Sequence, residues 1–125
     1  MKKVNLLLVE DNFINQKLIL LQVKNLGYVV DIANNGKEAV EKFSNKNYDI
    51  ILMDLMMPIM DGLEATRTIR NIEKNINIHT PIIGLTANTY DSDRERCLAS
   101  GMDEYMPKPF DLDEFLNLLK VLKVK

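Results

Sequence analysis

Five residues stand where an apolar run gives way to a loop: Glu10 and Asp11 after "NLLLV", Asp54 after "DIILM", Thr86 after "PIIGL" and Lys108 after "DEYMP". Three carboxylates, a hydroxyl and an ammonium form a restrictive set. Carboxylates brought together repel and must recruit a cation, and oxygen-only ligands select a hard ion such as Mg2+. His79, the single histidine, lies in a loop before Pro81 and gives an imidazole-bound transition metal no support. Mg2+ keeps several waters and favours one or two carboxylates plus phosphate oxygens, so a phosphoryl group is the expected ligand. A carboxylate can itself attack phosphorus to form an acyl phosphate. Asp54 is the candidate nucleophile, with Glu10 and Asp11 offset from it to hold the ion. Lys108 would neutralise phosphoryl oxygens and Thr86 would donate a hydroxyl hydrogen bond to another. No G-x-x-x-x-G-K-[ST] loop or kinase-type glycine loop is present to bind a nucleotide, so the phosphoryl must arrive on another molecule.

Each residue alone has an ordinary reading. Asp11 or Asn12 serves as well as a helix cap, Asp54 as a loop residue bonded to the backbone before Pro58, Thr86 as a plain strand residue and Lys108 as an exposed lysine. The joint placement is what argues for chemistry, and it requires elements that bring the five together. Apolar strand-like runs alternate with amphipathic helical ones, the pattern of an α/β domain with a parallel sheet. The strands are expected at Val4–Val9, Tyr28–Ala33, Tyr48–Met53, Ile82–Thr86 and Glu104–Met106, with the first, third and fourth buried on both faces. Gly27 ends the first helix, Asn35-Gly36 precede the second, Ser92 with Glu95 opens the fourth and Asp111 with Glu114 opens the fifth. Phe115, Leu118, Leu119 and Leu122 form one stripe of the last helix. The segment "NIEKNINIHT", residues 71–80, is expected to be a variable loop. In such a sheet all five site residues share the carboxyl edge, where ligands bind at the switch of strand order.

A chain of 125 residues, 46% hydrophobic, suits one domain with a single core. The formal charge of -2 and interspersed Lys and Glu exclude a nucleic-acid-binding surface. The lone Cys97 excludes a disulfide framework and reads as a small buried hydrophobe, consistent with a cytoplasmic protein. The short run after Met1-Lys2-Lys3 meets Glu10-Asp11 at once, so it reads as a strand rather than a signal peptide, and no membrane contact is expected.

"LLLVEDN", "DIILMDLMMPIMDG", "PIIGLTA" and "GMDEYMPKPF" resemble, in order and spacing, the motifs of the response-regulator receiver domain of two-component signalling. The resemblance covers residues 1–125 and implies a doubly wound flavodoxin-like (βα)5 fold of strand order 2-1-3-4-5. It implies Asp54 as phosphoacceptor and Glu10, Asp11 and the Met56 carbonyl as Mg2+ ligands. It also implies Thr86 and Lys108 as phosphoryl ligands, Tyr105 as the aromatic switch and a cis Lys108–Pro109 bond. Met56 and Asn88 occupy positions that influence acyl-phosphate lifetime in the family. The acid pair is Glu-Asp rather than the commoner Asp-Asp. "VEDN" with Asn15, and the stretch from "LTANTYD" to "MPKP", look most like receivers of hybrid sensor histidine kinases and phosphorelays. The implied partner is a sensor histidine kinase or histidine-phosphotransfer protein. The implied role is that of a signalling domain rather than an enzyme, excised from a hybrid chain or standing alone.

Two other classes compete. A haloacid-dehalogenase-like phosphatase also uses a strand-end aspartate with Mg2+, but expects a second acid two residues on, where Met56 stands. A flavodoxin-like ligand-binding protein needs a phosphate cradle after the first strand, where Glu10-Asp11 would repel phosphate. In the first helix, Ile19, Val23 and Leu26, with Leu18 alongside, suffice to cover the sheet. Ile14, Leu18 and Leu21 form the stripe better suited to a partly exposed face. Ile14 and Phe13 are therefore expected to dock the phosphodonor.

Overall fold

A computed structural model describes residues 3–87 and 91–124, without the side chains of 91 and 92. Asn88 and the side chain of Ser92 therefore lie outside the described residues. Five parallel strands, β1 (Asn5–Val9), β2 (Val29–Ala33), β3 (Ile50–Asp54), β4 (Ile82–Thr86) and β5 (Glu104–Pro107), form one sheet in the order β2-β1-β3-β4-β5. The strands fall within two residues of their expected bounds. Between and after them run α1 (Phe13–Val23), α2 (Gly36–Asn45), α3 (Gly62–Ile76), α4 (Asp91–Ser100) and α5 (Leu112–Val121).

Alternation of side chains across each strand divides the core in two. Leu7, Val9, Ile51, Met53 and Ile82 face the layer of α2, α3 and α4, where Phe43, Ile69 and Cys97 are buried. Leu6, Leu8, Ile50, Leu52, Ile83 and Leu85 face α1 and α5, where Ile19, Val23, Phe115 and Leu119 are buried. Every residue of β3 and β4 is buried, which is why both read as unbroken apolar runs. Cys97 fills a core position as expected.

Four helices, α1, α2, α3 and α5, start on side-chain caps. Asn12, Asn35, Asp61 and Asp111 accept from the backbone N–H of Asn15, Glu38, Glu64 and Asp113. Two expectations fail. Leu18, expected both alongside the core stripe and in the partly exposed one, is 52% exposed and belongs only to the latter. The segment 71–80 is not a loop throughout: α3 continues to Ile76 and stops where Asn77 turns left-handed, φ 56°, returning its N–H to the Glu73 carbonyl at 2.8 Å.

A buried ionic knot explains the extension. Arg70 Nη1 meets Glu73 Oε1 at 2.5 Å and the Thr80 carbonyl at 2.9 Å, and Nη2 meets Asp103 Oδ2 at 2.8 Å. Glu73 Oε2 accepts from Thr80 N at 2.6 Å, and Asp103 also takes the Ile82 N–H and His79 Nε2. At Gly101, φ 109°, a Cβ would come within 2.8 Å of Arg70 Cγ, so only glycine fits that turn unstrained. The last turns of α3 thus hold the amino ends of β4 and β5.

Candidate functional site

Register places the functional side chains. Val9 pairs with Met53, Asp54 with Leu85 and Thr86 with Pro107, so Glu10, Asp54, Thr86 and Lys108 emerge side by side from four adjacent strands. The ladder continues one step beyond the strands, with Glu10 N donating to the Ala33 carbonyl at 3.0 Å and Lys108 N to the Thr86 carbonyl at 2.8 Å.

Carboxylate oxygens of Glu10, Asp11 and Asp54 lie within 4.8 Å of one another, and among the described residues this is the cluster able to hold a metal ion. Asp54 is 2% exposed. Its Oδ1 takes the Lys108 ammonium at 2.9 Å and the Met56 N–H at 3.3 Å, while its buried Oδ2 has no hydrogen-bond partner. Lys108 Nζ also lies 3.7 Å from Glu10 Oε1. Asn12, not Asp11, caps α1, which leaves Asp11 exposed at the cluster's mouth.

Glu10 is buried beside a second carboxylate. Loss of hydration raises its pKa most, the Asp54 charge adds to the rise, and the Asn12 N–H and Lys108 oppose it; the balance stands at about 7 instead of 4.5. One ammonium therefore does not neutralise the cluster, and a buried carboxylate oxygen remains unsatisfied. A divalent oxygen-seeking cation fits this donor set: it would supply the missing charge and take the idle Oδ2.

The loop after Asp54 bends sharply at Ile59, φ 72°, where Met60 N reaches the Pro58 carbonyl at 2.8 Å. It returns to the strand end through Gly62, whose N–H donates to Leu55 O at 3.0 Å. A Cβ on Gly62 would lie 2.2 Å from the Asp54 carbonyl oxygen, so α3 begins against Asp54 only because position 62 has no side chain. Lys108–Pro109 is cis. Thr86 is buried at the end of β4. Tyr105 stands apart, half-buried on β5 against the core layer of α2, α3 and α4.

Phe13 and Ile14, on the first turn of α1 beside the acids, are 64% and 67% exposed. Leu18 and Leu21 extend the exposed stripe. Two amides at the site have contacts to Glu10 that the chain alone does not show: Asn12 N and Asn15 Nδ2 donate to Glu10 Oε2 and Oε1 at 3.1 and 3.4 Å. Gln16 lies buried behind them. Asn15 was visible only as a family feature, and nothing in the pattern of α1 marked Gln16, because it sits in the polar run Asn15-Gln16-Lys17, where an exposed amide is the ordinary occupant.

Residues 6–120 match the family described as the response regulator receiver domain. The chain belongs to that family. The receiver domain of Ssk1 from Saccharomyces cerevisiae, solved with the histidine phosphotransfer signalling protein Ypd1, shares 30% identity at a TM-score of 0.91, over 98% of this chain and 92% of that one. The receiver domain of sensor histidine kinase PA1611 from Pseudomonas aeruginosa, solved with magnesium in its active-site cleft, shares 42% identity at a TM-score of 0.85, over 96% and 97%. Hybrid signal transduction histidine kinase B of Dictyostelium discoideum is 44% identical over 120 residues, 89% of this chain and 6% of that protein. This receiver spans about 5–15% of the length of the curated histidine kinases it matches. The dehalogenase-like alternative falls with the family match and with Met56 in place of the second acid. Among the described residues no helix is long and apolar enough to cross a membrane.

Proposed function

We propose that this receiver accepts a phosphoryl group from a phosphohistidine partner onto Asp54, in the presence of Mg2+, and thereby changes its interaction surface. The observation that carries the reading is the buried Asp54 carboxylate, with one oxygen on Lys108 and the other unpartnered, inside a cluster of three acids. A carboxylate oxygen of Asp54 attacks phosphorus, the O–P bond forms, the P–N bond of the donor breaks, and the imidazole keeps the electron pair. Glu10, Asp11, Asp54 and the Met56 carbonyl would hold Mg2+, which would supply positive charge to offset that of the carboxylates and the incoming phosphoryl group. Lys108 binds a further phosphoryl oxygen and Thr86 donates its hydroxyl to another. The domain assists its own phosphorylation and turns over no substrate. Movement of Thr86 towards the phosphoryl group lets Tyr105 turn inward, giving the face of α4, β5 and α5 two arrangements.

Incubation with acetyl phosphate and Mg2+ should add one phosphoryl group by intact mass, and Asp54→Asn should abolish it. Labelling of that mutant at the wild-type level would falsify the acceptor assignment. In the same preparation, beryllofluoride should shift amide resonances as far as Tyr105; shifts confined to the acid cluster would rule out the switch.

The donor docks on α1. Phe13, Ile14 and Leu18 present apolar surface next to a cleft of about 310 Å3 that Leu18, Gln22, Lys108 and Pro109 help to line, so a helical histidine-bearing partner seated there lies close to Asp54. Ile14→Asp should slow phosphotransfer from a histidine-phosphotransfer protein at least tenfold, about 1.4 kcal/mol, while acetyl phosphate labelling and melting temperature stay near wild type. Equal loss by both routes would place Ile14 in the fold instead.

A further inference from the structure

The face of α1 that packs on the sheet carries a carboxamide in line with Ile19 and Val23. Gln16 is 6% exposed, at a position where an apolar side chain would ordinarily sit. A buried amide left unpaired costs about 1–3 kcal/mol, so its partners are informative. Both hydrogens of Nε2 are engaged: one meets the Glu10 carbonyl oxygen at 2.5 Å, the other Asn34 Oδ1 at 2.9 Å. Asn34 passes the connection on, donating from its backbone N and from Nδ2 to Glu38 Oε1, each at 3.1 Å. One side chain thus ties the loop after β1 to the loop after β2.

The carbonyl it holds belongs to the peptide joining Glu10 to Asp11. The orientation of that peptide sets the directions in which both acidic side chains leave the backbone. Glu10 has further supports, from Asn12, Asn15 and Lys108. Asp11 is exposed and its carboxylate makes no hydrogen bond or ion pair with the described residues, so its aim depends on the backbone before it.

We propose that Gln16 is a positioning residue for the acid pair: its amide locks the Glu10–Asp11 peptide so that both carboxylates face Asp54, and Asn34 braces it from the β2–α2 loop. The inference rests on the reading of Glu10, Asp11 and Asp54 as an Mg2+ site. Indirect supports of metal ligands act on affinity by 10–100-fold, and a support acting through the backbone belongs at the lower end.

The test is calorimetric titration of the protein with Mg2+, paired with amide spectra and urea unfolding. Gln16→Leu, close in volume and without the amide, should bind Mg2+ about tenfold more weakly, with shift changes centred on Glu10 and Asp11. Asn34→Ala, at an exposed position, should weaken binding less but in the same direction. Val23→Ala, on the same helix face, should lose stability while binding Mg2+ like wild type. The inference is overturned if Gln16→Leu and Asn34→Ala both keep wild-type affinity. It is also overturned if Val23→Ala loses as much affinity as Gln16→Leu at equal loss of stability. Those results leave the metal site intact, whereas failure of the wild-type protein to bind Mg2+ would remove the site and this inference together.

Discussion

At the carboxyl ends of the strands two of three clustered carboxylates, Glu10 and Asp54, share the ammonium of Lys108; at the amino ends of β4 and β5, Glu73 and Asp103 share the guanidinium of Arg70, and Asp103 also takes the ring of His79. Both groups are partly or wholly buried and both join several elements. In the second group, Arg70 reaches Glu73, Asp103 and two backbone carbonyls, and each acid takes a backbone N–H as well. The planar fork of arginine suits such a task, since its donors point outward in fixed directions. In the first group, Asp54 Oδ2 has no partner and Glu10 holds its proton to about pH 7. A charged cluster whose hydrogen bonds close on themselves acts as a clamp. One that stays short of positive charge is built for something that arrives from outside.

The largest effect that would sharpen this contrast is on the clamp. Arg70→Met should strand Glu73 and Asp103 without their cation and cost about 3–5 kcal/mol in urea unfolding, while the folded fraction still labels with acetyl phosphate. A loss below about 1 kcal/mol would mean that the clamp is no better paired than an exposed ion pair.

The next effect has the opposite sign and depends on pH. Because the Glu10 pKa is raised, the unfolded chain gives up this proton near 4.5 and the folded one only near 7. Folding therefore retains its full stability below about pH 4.5 and loses this contribution as pH rises through 7. Glu10→Gln should stabilise the metal-free protein by about 2 kcal/mol at pH 8 and leave it unchanged near pH 4.5. Saturating Mg2+ should shrink the mutant's advantage, since the ion, held by one carboxylate fewer in the mutant, stabilises the wild type more. A gain that is the same at both pH values would show that Glu10 titrates normally.

The smallest effect belongs to the rim of the clamp. His79 is 59% exposed although its Nε2 lies 2.6 Å from Asp103, so solvent screens the pair. His79→Asn should cost about 0.5 kcal/mol or less in thermal unfolding. A cost near that of Arg70→Met would make the imidazole an equal member of the clamp.

One of the two clusters is legible in the chain and the other is not. Glu10, Asp11, Asp54, Thr86 and Lys108 each follow an apolar run, and a strand end is visible in one dimension. Arg70, Glu73, Asp103 and His79 lie in polar stretches on a helix and two loops, where a charged residue is the ordinary occupant. The same polarity made residues 71–76 look like loop, although Asn77 ends the helix later. Leu18 was left on both faces for a different reason: α1 is apolar on nearly every side, so periodicity cannot select the face that meets the sheet.

The order of residues by itself determined the α/β alternation, the two-sided burial of β1, β3 and β4, the caps at Asn35 and Asp111, and the membership of the acidic site. Those are properties of short windows, set by side-chain period, turn chemistry and where an apolar run stops. Only the tertiary structure decided that Asn12 caps α1 and frees Asp11, that Gln16 is buried against the Glu10 carbonyl, and that Arg70 binds the far loops together. Each depends on which segments distant in sequence meet across the sheet, and a single buried hydrogen bond between them leaves no periodic trace in the chain.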